Sequence, residues 1–230
     1  MSNLIEYIKE SLDRVKYCEV FNRIPIYIDD PLTHHVDVKA AFKKIEGMLP
    51  SFLTKNIKCV IIGHNKEFSE NYVNAMFKDG VLYVTNKQDN EEDLIDDVVH
   101  EVAHSIEEFA KKIIYEDKEI ENEFIKKRNI LYNMFKSRGI KAKESLFMNP
   151  KYSREFDMFL YKEVGYEKLR NLIIDVFFSP YAVTSLREYF AIGFEEYYLG
   201  DRKYLKRMSP ELFDKIHLLD NYDTMGGQYV

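Results

Sequence analysis

From Glu91 to Ile113 the apolar residues Leu94, Ile95, Val98, Val99, Val102, Ile106, Phe109 and Ile113 recur at helical spacing, which predicts a long amphipathic helix with one face in a core. Asp89 and Asn90 offer N-cap side chains. Glu91, Glu92 and Asp93 at the start, and Lys111 and Lys112 near the end, carry the charges that the helix dipole favours. Inside this run stands His100-Glu101-Val102-Ala103-His104, with both histidines and Glu101 off the centre of the apolar face. Side chains four residues apart in a helix lie one turn above each other, so the two imidazoles can share one metal ion. The glutamate after the first histidine projects beside that ion, where it can take a proton from a metal-bound water. Zinc held in this way brings the pKa of its water toward neutrality. The plainer reading is a surface helix with two incidental histidines and a solvated glutamate.

A catalytic zinc site takes three protein ligands and keeps one position open. The short spacing that supplies a third histidine asks for glycine at position 107 and histidine at 110, where this chain has Glu107 and Ala110. What remains is a glutamate on a later helix, the gluzincin arrangement, and several acids qualify by number. Local setting favours Glu188, 84 residues after His104, among Tyr189, Phe190, Ala191, Ile192 and Phe194. An acid embedded in so aromatic a helix is expected to turn toward a partner, because an unpaired buried charge is costly. Ser185-x-x-Glu188 also fits a capping box, in which Glu188 reaches back to the helix start. Glu195 and Glu196, about two turns on, are the reserve candidates.

His100-Glu101-x-x-His104, with Tyr181 seven residues before Glu188 in Tyr-x6-Glu-Tyr-Phe-Ala, resembles the catalytic domain of the anthrax lethal factor family, which includes the bacterial Pro-Pro endopeptidases. The resemblance covers roughly residues 70–200. It implies that His100, His104 and Glu188 bind zinc, that Glu101 is the general base and that Tyr181 steadies the oxyanion. Two features depart from it. Those relatives are typically exported, whereas Met1-Ser2-Asn3-Leu4-Ile5-Glu6 does not read as a secretory signal. Position 192 is Ile192, where relatives often carry an acid, so the substrate preference is not carried over. Apart from the resemblance, Tyr181 stands beside Pro180 before a helix start, and a phenol next to the metal would stabilise charge on an attacked carbonyl oxygen. Its alternative is an ordinary packed tyrosine, one of 17.

Other polar residues weigh less. Asp96 and Asp97 can orient a ligand histidine or stand as solvated charge. His34, His35, His64 and His217 read as exposed or hydrogen-bonded histidines rather than ligands.

The net charge of −6 argues against a general nucleic-acid binder, and no apolar run is long enough for a transmembrane helix. Cys18 and Cys59 form no C-x-x-C pair and read as free thiols, so a cytoplasmic location is expected. The expected partner is a peptide or protein substrate, with neither nucleic acid nor membrane involved.

Along the chain, residues 2–17 read as an amphipathic helix, 24–28 and 57–62 as strands around a helix over 36–48, and Tyr72–Phe77 with Val81–Thr85 as a hairpin turning at Asp79-Gly80. Beyond residue 115 strand signals vanish, and helices are expected over 119–137, 155–164, 166–178, 185–199 and 210–219. The expected fold is α+β and zincin-like, forming a single domain over residues 1–230. A small mixed sheet with helices makes an N-lobe of about residues 1–115, which includes the motif helix. A mostly helical C-lobe covers about 116–220, and residues 221–230 form a loose tail. The expected activity is zinc-dependent peptide hydrolysis with one zinc ion per chain. The rival is a non-enzymatic or vestigial metal-binding module that serves assembly or partner binding, and Glu101 separates the two, since a purely structural site has no use for a base.

Overall fold

Apolar, β-branched runs bounded by turn residues become the strands of this protein. The computed structural model describes residues 15–71 and 73–222, and the chain divides into two compact units, 1–105 and 106–230. The first is built on five strands: β1 (Lys16–Val20), β2 (Ile24–Ile28), β3 (Cys59–Ile62), β4 (Ala75–Lys78) and β5 (Val81–Val84). Their order in the sheet is β1-β2-β3-β5-β4. The inner strands β2, β3 and β5 run parallel, while β1 and β4 pair antiparallel at the two edges.

Parallel strands are usually covered on both faces and so read as unbroken apolar runs. In β3, Cys59 and Ile61 cluster with Val81, Tyr27 and Tyr83, while Val60 and Ile62 share the opposite face with Ile26, Leu82 and Val84. Parallel neighbours need a crossover. Helix α1 (Val38–Met48) supplies it between β2 and β3, its start capped by Asp37, which accepts from the Ala40 amide at 3.0 Å. Helix α2 (Lys66–Asn71) leads from β3 to the β4–β5 hairpin. That hairpin turns through Asp79 and Gly80 at φ 55° and 84°, the positive pair of a tight I′ turn.

Helix α3 (Glu91–Tyr115) carries the two histidines, and the division between the units falls inside it, between Ser105 and Ile106. Among its described residues the second unit is helical throughout: α4 (Glu119–Ser137), α5 (Glu144–Met148), α6 (Arg154–Met158), α7 (Tyr166–Leu172), α8 (Leu186–Tyr198), α9 (Arg202–Met208) and α10 (Pro210–Asp220). Its core is aromatic, with Phe124, Phe135, Phe147, Phe156, Tyr189, Phe190, Phe194 and Tyr197 all buried.

Charged groups on the buried side of α4 tie the other helices together. Glu123 accepts the Tyr189 hydroxyl (2.7 Å) and the amides of Glu211 and Leu212 (3.0 and 3.3 Å). It thereby caps the start of α10, where Ser209 makes no side-chain cap. One turn on, Lys127 donates to the carbonyls of Val176 and Met208 at 2.8 and 2.7 Å, the second of which ends α9.

The elements differ from the sequence reading in several places. Lys16 and Tyr17 open β1 instead of ending a helix, and residues 2–14 lie outside the described residues. As an edge strand β1 is mostly exposed, so its sequence lacks the apolar alternation of an inner strand. Strand β4 is Ala75–Lys78, with the Asn74 carbonyl accepting the Thr85 amide at 2.7 Å just before it; Tyr72 is outside the described residues. Helix α7 stops at Leu172, and the chain turns through Asp175 at φ 60°. The run from 155 to 164 is α6 followed by a π-helix over Phe159–Val164, closed at Gly165. The tail is described only to Tyr222. Cys18 and Cys59 are free thiols, and no described helix is long and apolar enough to cross a membrane.

Candidate metal centre

The start of α3 is held as its sequence suggests, with Asn90 Oδ1 accepting from the Asp93 amide at 2.9 Å. Three turns in, the helix is buried on nearly every side: Val98, Val99, Val102, Ala103, Ser105 and Ile106 are inaccessible, and so are Glu101 (7% exposed) and His104 (6%). His100 is half-buried. The His100 and His104 rings stand edge to face, 4.8 Å between centroids. One donor atom from each of His100, Glu101 and His104 lies within 4.8 Å of the other two, the sole such group of three among the described residues. Two imidazoles and a carboxylate this close suit zinc, and the same donor types also serve other divalent ions.

Glu101 has a partner that no local sequence pattern shows. Its Oε2 accepts the backbone amide of Phe77 at 2.6 Å. Lys78 and Val81 flank the two-residue turn and form the hydrogen-bonded pair, so at Phe77 the amide points away from β5. Strand β4 is the sheet edge, and Glu101 satisfies one of its outward donors.

On the turn before His100, Asp96 is exposed while Asp97 accepts from Gln88 Nε2 at 2.8 Å. Burial pushes the Asp97 carboxyl up to about 6, against the opposing pull of Gln88 and His100. The remaining histidines lie elsewhere. His34 pairs with Asp89 at the surface (3.4 Å), His35 and His64 are exposed, and His217 shares a hydrogen bond with the Tyr197 hydroxyl at 2.9 Å.

Within the C-terminal unit, Tyr181 opens a short 3-10 turn (Tyr181–Val183) and is 37% exposed. Glu188 occupies the first turn of α8, half-buried, and its amide donates to Ser185 Oγ at 3.1 Å, so the serine half of the capping box is formed. Glu195 and Glu196 are half-buried further along α8. Arg187, next to Glu188, donates to Glu107 on the distal part of α3 at 2.9 Å, and Glu107 also accepts the Tyr115 hydroxyl. Burial and then the Glu107 charge raise the Tyr115 phenol well above its ordinary range, with a smaller contribution from Glu188. Glu107 stands three residues past His104, a spacing legible in the sequence, but its partner Arg187 is 80 residues away and was not.

Compared with protein-family models, curated proteins and solved structures, the chain matches none.

Proposed function

We propose that this protein is a zinc-dependent metallopeptidase of the gluzincin type, with a zincin-like fold and a catalytic domain similar to that of the anthrax lethal factor family. The observation that carries this reading is the burial of Glu101 and His104, whose donor atoms lie within 4.8 Å of each other and of His100. Solvated ornament on a helix surface has no reason to be buried. His100 and His104 would hold one zinc ion per chain, with Glu188 as the third ligand. Glu188 is named for its setting in the first turn of an aromatic helix, beside Tyr189 and Phe190. Bound zinc would polarise the scissile carbonyl of a peptide or protein substrate and acidify a water molecule.

The protein's own groups would do the rest. Glu101 Oε2 is engaged by the Phe77 amide, which orients the carboxylate and leaves Oε1 to accept the proton of the attacking water. Glu101 would then pass that proton to the leaving amine. The Tyr181 hydroxyl would donate to the oxygen on which charge develops.

A second reading has an observation of its own. Because Glu101 satisfies the edge-strand amide of Phe77, a non-enzymatic metal-binding module would also have a use for it. The first experiment is metal analysis of the wild type beside Glu188→Ala and Glu101→Ala. One zinc per chain in the wild type and Glu101→Ala, with little in Glu188→Ala, is expected. A wild type that takes up no zinc when zinc is supplied would sink the peptidase reading. Retention by Glu188→Ala would shift the third ligand to Glu195 or Glu196. Peptide-library cleavage by the zinc-loaded wild type then separates the enzyme from the module.

A further inference from the structure

The buried side of α4 holds a third charged group, one that the proposed chemistry does not use. Arg128 is 0% exposed, and its guanidinium is spent wholly on backbone carbonyls. Nε and Nη2 donate to Val183 at 2.8 and 2.6 Å, and Nη2 donates also to Thr184 at 2.7 Å. Nη1 donates to Asn149 and, at 3.3 Å, to Leu146. The guanidinium carbon lies over the rings of Phe124 and Phe156 at 4.5 and 4.4 Å. Among the described residues no carboxylate offsets the charge, and burial pushes the guanidinium down to about 9. A cation removed from water in this way costs several kcal/mol. A methionine or leucine would fill the same space without that penalty, but only arginine brings five donors in a rigid fork.

What those donors hold is specific. Val183 and Thr184 are the two residues before Ser185, the N-cap of α8, and they lie between Tyr181 and Glu188. The second segment that Arg128 grips, at Asn149, is joined to the same place, because the Leu186 amide donates to the Pro150 carbonyl at 2.8 Å. The start of α8 is therefore fastened from both sides through one side chain. We infer that Arg128 is a positioning residue for the Tyr181–Glu188 segment, setting where the Glu188 carboxylate and the Tyr181 hydroxyl stand for metal and substrate. This inference rests on the reading of Glu188 as a zinc ligand.

Lys127 provides the internal control. It is buried on the same helix but gives its hydrogen bonds to Val176 and Met208, outside residues 181–188, and its ammonium meets α8 over the ring of Tyr189, 6.0 Å from the centroid. The test compares the wild type, Arg128→Lys, Lys127→Met and Glu188→Ala by amide hydrogen exchange and by competitive zinc titration, well below every melting temperature. Lysine keeps the charge and offers fewer donors without the fork. Arg128→Lys is expected to speed exchange over residues 182–188 more than over α4 itself, and to weaken zinc binding about ten-fold or more. Lys127→Met should leave both unchanged. Unaltered zinc affinity in Arg128→Lys, or an equal loss in Lys127→Met, would overturn the inference and leave a general core staple. Wild-type affinity in Glu188→Ala would remove the ligand reading and the inference with it, while the exchange data would still report whether Arg128 holds the segment. If Arg128→Lys does not fold, the wild type carries the test by NMR. Its Arg128 Nε–H resonance, which reports the bond to Val183, is expected to move on zinc addition, and an unmoved resonance overturns the inference.

Discussion

Glu101 accepts the amide of Phe77 and, in the proposed chemistry, would also take a proton from the attacking water; substitution can separate the two. Glu101→Gln keeps an oxygen for the Phe77 amide but cannot accept the proton. Its fold and zinc content should match the wild type, while peptide hydrolysis falls about 10²–10⁴-fold. Equal turnover in the two proteins would remove Glu101 from the chemistry. Glu101→Ala also leaves the amide unpaired, which costs about 1–3 kcal/mol in a denaturant titration. Asp97 makes a pH prediction for the metal-free protein. Its carboxyl ordinarily titrates near 3.8 and is pushed up to about 6 here, so the folded state binds that proton more tightly than the unfolded chain. The stability it contributes is present below about pH 4 and is lost as pH rises through about 6. Asp97→Asn, which retains an acceptor for Gln88, should therefore stabilise the protein at pH 8 by at most about 3 kcal/mol. The gain should vanish near pH 4; urea titrations at both pH values giving the same gain would exclude burial as the cause.

Among the elements, the close approach of α8 to α10 depends on one missing atom. A Cβ at Gly193 would lie 2.3 Å from Leu212 Cδ2 and 2.7 Å from its Cγ. Gly193→Ala should lower the unfolding free energy by about 1–3 kcal/mol, read from the denaturation midpoint at unchanged slope. Elements whose partners are local were legible in the sequence. Helix α4 spans the expected 119–137, followed by Gly139 at φ 70°, because its period and its stop signal are both local. Likewise the His100–His104 pairing follows from helix geometry alone. Strand β1 was not legible, because its identity comes from pairing with β2 and its exposed face carries charge. Nor was the Phe77–Glu101 bond, which depends on hairpin register and on how a sheet edge meets a helix. The role of Arg128 is not legible for a related reason: in a helix as charged as α4, an arginine reads as solvated, and its carbonyl partners lie on distant segments.

At the scale of the whole molecule, metal binding and stability should be linked. An ion that binds only the folded chain adds about 2.7 kcal/mol at a free concentration one hundred times its Kd. For a chain of this size that raises the Tm by about 5–10 °C. The wild type should show this shift with zinc and lose it on chelation, and Glu188→Ala should show little of it. A Tm indifferent to zinc in the wild type would speak against any metal site in the folded protein.

The division of the chain inside α3 also bears on the order in which the protein is made. When Ser105 has been synthesised, the nascent chain already contains all five strands, both histidines and Glu101. Glu188 is still more than eighty residues from being added. At ribosomal speeds that gap lasts about 4–17 s. On the proposed ligand set the growing chain would lack its third ligand during that interval, so firm metal uptake at this site would wait until translation had passed α8.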